Sequence, residues 1–192
     1  MLLFPLALVL GVLAGTAAGG SLRGLVSLRL RAPAVPLVAL VAQAVLAAPA
    51  TAALPAPARV AVLGASYAAI GGWLAFNLAG RTTPIVTGLC LTGVGWLLNM
   101  CVVLANAGMP VSASALNRLG LGTGALAGGG PLGKHVQLAS TSALGALGDT
   151  IPIPVLHSIV SVGDIVMLAG LILTIAAAMH LARSALHPVA AD

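Results

Sequence analysis

The chain has 192 residues, of which 60% are hydrophobic and 6% are charged, and its mean hydropathy is +1.15. A soluble domain carries roughly 25% charged residues, so this composition excludes a water-soluble globular protein and predicts one integral membrane domain over residues 1–192. The net charge of +5 comes from eight scattered Lys and Arg residues with few aromatic neighbours, which excludes the basic patch of a nucleic-acid-binding protein.

The first apolar segment, residues 2–20, ends in small residues as a signal peptide does, but no Lys or Arg precedes it. We therefore expect a retained membrane helix. Gly11, Gly15 and Gly19 recur every four residues along one face of this helix. Glycines at that spacing let two helix backbones approach closely, so we predict close packing against a neighbouring helix, with dimerisation as a narrower alternative.

Four further apolar segments are each long enough, at 1.5 Å per residue, to cross a hydrocarbon core of about 30 Å. The predicted fold class is therefore all-α, a polytopic membrane helix bundle of about five transmembrane helices. Cys90 and Cys101 share one segment about 16 Å apart, which is too far for a disulfide. The four segments are residues 34–54, 59–79, 83–107 and 161–186.

The basic residues predict the orientation of these spans, because loops rich in Lys and Arg face the cytoplasm. Residues 21–32, directly after the first span, contain three arginines and resemble an interfacial segment whose side chains reach lipid headgroups. We predict a protein of the bacterial cell (inner) membrane with its N-terminus outside and its C-terminus in the cytoplasm. The cytoplasmic set is then Arg23, Arg29, Arg31, Arg81 and Arg183, and the outer set is Arg59, Arg118 and Lys134.

The outer loop, residues 108–160, is too apolar to be a free linker. Ser112 is a suitable N-cap for a short helix, and Gly120 is a suitable stop for it. The Ser and Thr residues at 140–142 predict a second short helix before Asp149. We expect the whole loop to fold back onto the bundle, because irregular backbone at membrane depth is tolerated only when it is buried in protein or lines a wet cavity.

Polar side chains of the fourth span lie close to one helical face. Two interpretations of this face remain open. One is interhelical hydrogen bonding, worth only about 0.6 kcal/mol per bond on average, and the other is the lining of a ligand site. The face consists of Thr92, Trp96, Asn99 and Asn106. The candidate ligand-binding residues are Asn99, Asn106, Trp96, Lys134 and His135.

The candidate catalytic residues are Asp149, His157 and Asp164. Asp149 and His157 fall in one short stretch and could form an acid–base pair. Asp164 follows Ser161 by three residues, which resembles a capping box and complements the helix dipole, and a cap does not exclude a functional acid. The spacing of His135 and His157 matches no helical metal motif, so we predict no metal and no cofactor.

A glycine-rich stretch at residues 128–134 fits part of a phosphate-binding loop. That motif requires Ser or Thr after the lysine to hold magnesium, and His135 stands there instead. No buried strand precedes the stretch, so we reject a nucleotide site.

Several short motifs are spread along most of the chain: Leu28–Arg31, Asn99, Ala105–Val111, Lys134–His135, Leu147–Pro152 and Val160–Asp164. In this combination the chain resembles a family of bacterial multi-pass membrane proteins known only as a domain of unknown function. The resemblance implies a multi-pass helical fold. It implies no activity, substrate or catalytic residue.

Three classes of function remain. Smooth Ala-, Gly- and Leu-rich helices with scarce ionisable groups favour a small integral membrane binding or assembly protein, whose partner is membrane lipid or the other subunits of a membrane complex. The alternative is a membrane enzyme acting on a lipid-linked or apolar substrate at the outer leaflet, with Asp149, His157 and Asp164 as its acid–base groups. A small transporter ranks third, because no charged residue lies near mid-span.

Overall fold

The computed structural model describes residues 3–46, 48–51, 53–122, 124, 126 and 135–181. These residues are mostly helical, as predicted, but they also form four short strands that the all-α expectation missed. The helices are α1 Leu3–Ala17, α2 Leu22–Ser27, α3 Ala34–Leu46, α4 Ala56–Phe76, α5 Thr83–Asn106, α6 Ala113–Arg118 and α7 Val162–Ala178. The strands are β1 Met109–Val111, β2 His135–Gln137, β3 Ile151–Ile153 and β4 Ser158–Val160.

Two of the described helices, α4 and α5, are long and apolar enough to cross a membrane, over Pro57–Phe76 and Thr83–Asn106. Helices α1, α3 and α7 coincide with the other three predicted segments but have 15, 13 and 17 residues. A spanning helix needs about 20 residues, so the predicted five transmembrane helices are not confirmed. The last part of the fifth segment, including Arg183, lies outside the described residues.

Helix α3 ends earlier than predicted for a local reason. Pro49 opens a short 3-10 turn, Pro49–Thr51, since a proline ring cannot continue an α-helix. The hydroxyl of Thr51 lies 3.1 Å from the carbonyl oxygen of Val45 and 3.1 Å from the carbonyl oxygen of Leu46, in the last turn of α3. It therefore satisfies carbonyls that the helix end leaves without intrahelical partners.

The chain forms two compact units. Unit 1 consists of Met1–Ala32, Leu74–Gly93 and Val166–Asp192. Unit 2 consists of Pro33–Trp73 and Val94–Ile165. Helices α4, α5 and α7 each contribute residues to both units.

Unit 1 is packed through glycines of α1 and α7. A Cβ atom added at Gly11 would lie 2.7 Å from the Cβ of Ile175, and one added at Gly15 would lie 3.2 Å from the Cα of Ala176. The predicted close packing of α1 is thus confirmed for these two glycines, with α7 of the same chain as the neighbour. Gly19 has a φ of 81° and lies beyond the end of α1.

Helices α5 and α7 are in direct backbone contact at Gly88 and Gly170. A Cβ added at Gly170 would lie 2.6 Å from the carbonyl oxygen of Gly88, and one added at Gly88 would lie 2.7 Å from the backbone nitrogen of Thr174. Thr92 and Thr174 each donate their hydroxyl to a carbonyl four residues earlier in their own helix, at 2.9 Å. The contact between the two helices depends on the absence of side chains at Gly88 and Gly170.

Unit 2 contains the segment between α5 and α7, whose described residues form short strands, the short helix α6 and 3-10 turns. Ser112 caps α6 by accepting from the backbone nitrogen of Ala115 at 3.5 Å, and Gly120 follows with a φ of 71°. The predicted second short helix is present as a 3-10 helix, Gly145–Leu147, but its N-cap is Leu144 and not one of residues 140–142. Ser142 instead accepts a hydrogen bond from a preceding backbone amide.

Replacing Gly170 by Ala is expected to destabilise the protein by roughly 1–3 kcal/mol, because a rigid backbone must shift to admit the methyl group. Gly72→Ala in α4 is the matched control, since a Cβ at that position meets no atom within 4 Å. It should keep or raise stability, because Ala is favoured over Gly inside a helix by up to about 1 kcal/mol. Thermal midpoints in detergent measure both, and equal midpoints would contradict the close contact.

Candidate functional site

Strand β1 organises the polar part of unit 2. It pairs in parallel with β2, so that Met109 stands opposite His135. On its other edge the backbone nitrogen of Asp149 donates to the carbonyl of Pro110 at 2.8 Å. The backbone nitrogen of Ser112 donates to the carbonyl of Asp149 at 2.9 Å. All three residues of β1 are buried. His135 and Asp149, which are distant in sequence, are thereby held on either side of one strand.

Gly148 permits this arrangement. A Cβ added there would lie 2.5 Å from the carbonyl oxygen of Pro110. Only glycine lets the chain come close enough to β1 for the following residue, Asp149, to bond to it.

The side chains of His135 and Asp149 form a pair, with 3.0 Å between Nε2 and Oδ2. The Asp149 side chain is only 8% exposed and that of His135 is 22% exposed. Burial raises the pKa of the Asp149 carboxyl; the hydrogen bond and the charge of His135 lower it, and the negative charge of Asp164 raises it. Because burial dominates, this carboxyl holds its proton to a higher pH than a carboxyl in water does.

A second polar cluster joins α5 to the start of α7. Asn99 donates from Nδ2 to Oδ1 of Asp164 at 2.8 Å and accepts at Oδ1 from the hydroxyl of Ser161 at 2.9 Å. The backbone nitrogen of Asp164 donates to Oγ of Ser161 at 3.0 Å, and the backbone nitrogen of Ser161 donates to Oδ2 of Asp164 at 3.1 Å. The predicted capping box is therefore confirmed, and Asn99 closes it into a ring.

Gly163 lies inside this ring. A Cβ at that position would collide with the side-chain amide of Asn99. The glycine thus lets α5 and the first turn of α7 approach until Asn99 reaches the cap.

The remaining candidates on α5 also make hydrogen bonds within unit 2. Trp96 donates from Nε1 to the carbonyl of Tyr67 at 3.1 Å, and the two rings are 4.7 Å apart at an angle of 40°. Asn106 donates to the carbonyl of Ala143 at 2.8 Å and accepts from its backbone nitrogen at 2.9 Å. This face of α5 therefore supplies hydrogen bonds between segments, which is one of its two predicted uses.

The structure brings the candidate catalytic residues together in a different way from the sequence interpretation. Asp149 pairs with His135 rather than with His157, which ends a short 3-10 turn in a left-handed conformation with a φ of 45°. His135 was a ligand-binding candidate only. Lys134 lies outside the described residues. The pairing had no local sequence signal, because it depends on two strands of three residues each.

Sequence reasoning missed an apolar groove of about 470 Å³ between α3 and α4. Its one polar lining residue is Ser66, whose hydroxyl accepts from Gln43 Nε2 at 3.0 Å and donates to the carbonyl of Leu63 at 2.7 Å. Small residues four apart on both helices were the signal that could have indicated it. The lining consists of Ala34, Val35, Val38, Ala39, Ala42, Val62, Ala65, Ser66 and Ala69.

No curated protein and no solved structure matches the chain. A family model described as a family of unknown function, DUF5317, matches residues 27–176. This range contains every motif on which the resemblance to an uncharacterised family is based, together with the groove and both polar clusters. The chain therefore belongs to this family of unknown function.

Proposed function

We propose that the protein is a small integral protein of the bacterial inner membrane that binds a membrane lipid, with an acyl chain of the lipid in the groove between α3 and α4. The observation that carries the proposal is the groove itself. The spanning length of α4 and α5 supports membrane insertion.

The face of α3 that points away from the groove also supports a lipid environment. Leu37, Val41 and Val45 are 63%, 61% and 53% exposed, and none of them lines the groove. Three neighbouring aliphatic side chains on one helix are costly to hydrate, because burial of apolar surface is the main favourable term in folding. In a bilayer the same surface has no such cost.

The groove fits a hydrocarbon chain in size and in chemistry. Its volume of about 470 Å³ is within the range of roughly 300–1,000 Å³ that is common for ligand pockets. Its lining is Ala and Val apart from Ser66, whose hydroxyl already donates and accepts hydrogen bonds. The other apolar occupant would be a helix of a partner subunit, because small residues also favour helix packing.

The proposed orientation is tested by cysteine labelling in a chain that carries Cys90→Ala and Cys101→Ala. Ser140 and Ser27 are both exposed, and the proposed topology puts Ser140 outside and Ser27 in the cytoplasm. A membrane-impermeant maleimide should label Ser140→Cys in intact cells and label Ser27→Cys only after the membrane is opened. The reverse pattern would overturn the orientation.

The groove is tested by native mass spectrometry of protein released gently from its own membrane. The wild type should carry a lipid. In the double variant Ala42→Phe with Ala65→Phe, the fraction of protein that carries lipid should fall at least tenfold, because two phenyl rings fill the groove from both helices. Val45→Phe is the matched control, since Val45 is on α3, 53% exposed and outside the lining.

A wild type that carries neither lipid nor protein would contradict the proposal. The double variant could instead lose a stoichiometric partner chain that the control retains. That result would show that the groove is a subunit interface and not a lipid site.

A second candidate function, acid–base chemistry on a lipid-linked or apolar substrate at the outer leaflet, is favoured by the pair of His135 and Asp149. A histidine at 3.0 Å from a buried carboxyl is an arrangement that can take up and release a proton. Asp164 is engaged through both carboxyl oxygens in the cap, so it has less freedom for such a role.

The pH dependence of stability tests whether Asp149 is held at a cost to the fold. Its pKa is raised on folding, so its contribution to the free energy of unfolding is present below its unfolded pKa of about 3.9 and is lost as the pH rises through the raised value. The stability of the wild type relative to Asp149→Asn should therefore fall as the pH rises above about 4.

Thermal midpoints of the wild type and Asp149→Asn across pH 4–8 measure this difference, with His135→Gln as the companion variant. At pH 7.5 the Asn variant should be at least as stable as the wild type, as expected for a group retained for chemistry rather than for stability. If Asp149→Asn is clearly less stable there, the pair is a structural ion pair and the acid–base candidate loses its support.

A further inference from the structure

Tyr67 of α4 is held by its ring and its backbone but not by its hydroxyl. The centroid of its ring lies 4.7 Å from that of Trp96, and its backbone carbonyl accepts from Trp96 Nε1 at 3.1 Å. The residue is only 6% exposed. In the part of the chain that the structure describes, its hydroxyl makes no hydrogen bond. The phenol is therefore fixed in position while its polar end has no partner there.

A second polar atom of unit 2 is in the same situation. The carboxyl of Asp149 faces His135 through Oδ2, whereas Oδ1 has no hydrogen-bond donor among the described residues. Every side-chain nitrogen or oxygen that is fully enclosed within those residues does have a partner, because an enclosed polar atom without one costs about as much as a lost hydrogen bond. The Tyr67 hydroxyl and Asp149 Oδ1 are therefore not fully enclosed, and each reaches an opening.

The two atoms lie near each other and near Asp164. The charges of Asp164 and Asp149 act on the Tyr67 hydroxyl, and the charge of Asp164 also acts on Asp149. Such effects need proximity, because salt and water screen charges beyond about 10 Å. Trp96 of α5 packs against Tyr67. Asn99, three residues later on the same face of α5, donates to Asp164. One helix face therefore holds both neighbours in place.

We propose that the Tyr67 hydroxyl and Asp149 Oδ1 together bind the hydroxyl group of a neutral lipid alcohol, for example a diacylglycerol. A phenol can donate or accept a hydrogen bond, an ionised carboxyl only accepts, and a protonated carboxyl also donates. An alcohol both donates and accepts, so it pairs with Asp149 in either protonation state. A phosphodiester has no donor for the ionised carboxyl, and an ammonium group has no acceptor for the protonated one.

The position of Tyr67 indicates why the alcohol is a lipid. Tyr67 lies near the middle of Pro57–Phe76, the stretch of α4 that is long and apolar enough to cross a membrane. Leu63, Ile70 and Leu74 follow the same helical face and are buried. A molecule that brings a hydroxyl group to this depth must itself be largely apolar, because further polar groups would be left without hydrogen-bond partners.

The proposal deepens the acid–base candidate and rests on it for one point only, that the bound hydroxyl is the group that exchanges a proton with Asp149. Binding itself requires no proton transfer. Binding also does not require the acyl groove, because neither Tyr67 nor Asp149 is part of the groove lining. The hydroxyl site and the groove can therefore fail separately.

The test uses the full-length purified protein and three probes: dioctanoylglycerol, its methyl ether and dioctanoyl phosphatidylethanolamine. The ether keeps both acyl chains, but its oxygen has no proton to donate to Asp149. Because Tyr67 is the only tyrosine of the chain, an NMR-active carbon isotope at Cζ of tyrosine gives a single signal. That signal responds to hydrogen bonding of the hydroxyl, so it reports on the site and not on the groove.

Dioctanoylglycerol should shift the Tyr67 signal. Tyr67→Phe should weaken its binding roughly threefold to tenfold, as expected for the loss of one hydrogen bond, and methylation of the probe should weaken binding to the wild type by a similar factor. The thermal midpoint of Tyr67→Phe should equal that of the wild type. Thr87→Val is the matched control, since it removes a hydroxyl that donates to Thr83 within α5, and it should leave the affinity unchanged.

The site is overturned by equal affinities for the alcohol and its ether, by an unchanged affinity in Tyr67→Phe, or by phosphatidylethanolamine that binds as tightly as dioctanoylglycerol. A midpoint of Tyr67→Phe well below that of the wild type would assign the hydroxyl to the fold. A wild type that binds no probe would leave only water at the opening, and both results refute the proposal.

Dioctanoylglycerol that is lost in the groove double variant and retained in Tyr67→Phe would show that the acyl groove holds it. The groove would then be sound while the hydroxyl site has failed. The opposite pattern, loss in Tyr67→Phe and retention in the groove double variant, is the result that we expect.

Discussion

Irregular backbone in so apolar a chain needs hydrogen-bond partners from the protein itself. Two asparagines supply them directly, and a third holds the side chains of a helix cap. Asn77 and Asn106 each use both ends of the side-chain amide on the backbone of one distant residue, Arg31 or Ala143. Asn99 uses both ends on the cap of α7. An unsatisfied backbone group costs several kcal/mol where water is absent, so each amide fixes a connection that apolar packing alone would leave undefined.

Glycines are the counterpart of these asparagines. Gly163 makes room for the amide of Asn99, and Gly148 lets the chain bond to the edge of β1. Gly88 and Gly170 bring two helix backbones into contact. Since Ala- and Leu-rich helices provide few shape differences, the positions at which side chains are missing decide which helix faces meet.

The sequence could predict the features that depend on neighbouring residues. Helix positions follow from apolar runs, and the caps of α6 and α7 follow from Ser112 and from the spacing of Ser161 and Asp164. The end of α3 was predicted too late, because the effect of Pro49 and Thr51 outweighs an apolar run that continues past them. The pairing of His135 with Asp149 could not be predicted, since it depends on β1 lying between two segments that are remote from it in sequence. The two hydrogen bonds between Asn77 and the backbone of Arg31 could not be predicted either, and neither could a groove whose walls come from two helices.

Within the part of the chain that the structure describes, four non-glycine residues have a positive φ: Ala32, Ala107, Leu144 and His157. The left-handed conformation costs a side-chain-bearing residue roughly 1–2 kcal/mol, and glycine avoids this cost while losing about 0.4–1 kcal/mol through a more disordered unfolded chain. Ala107 follows the end of α5, and replacing it by glycine would remove only a methyl group. A chain with glycine there would have the same fold with a wider margin of stability, which helps any experiment that first extracts the protein into detergent.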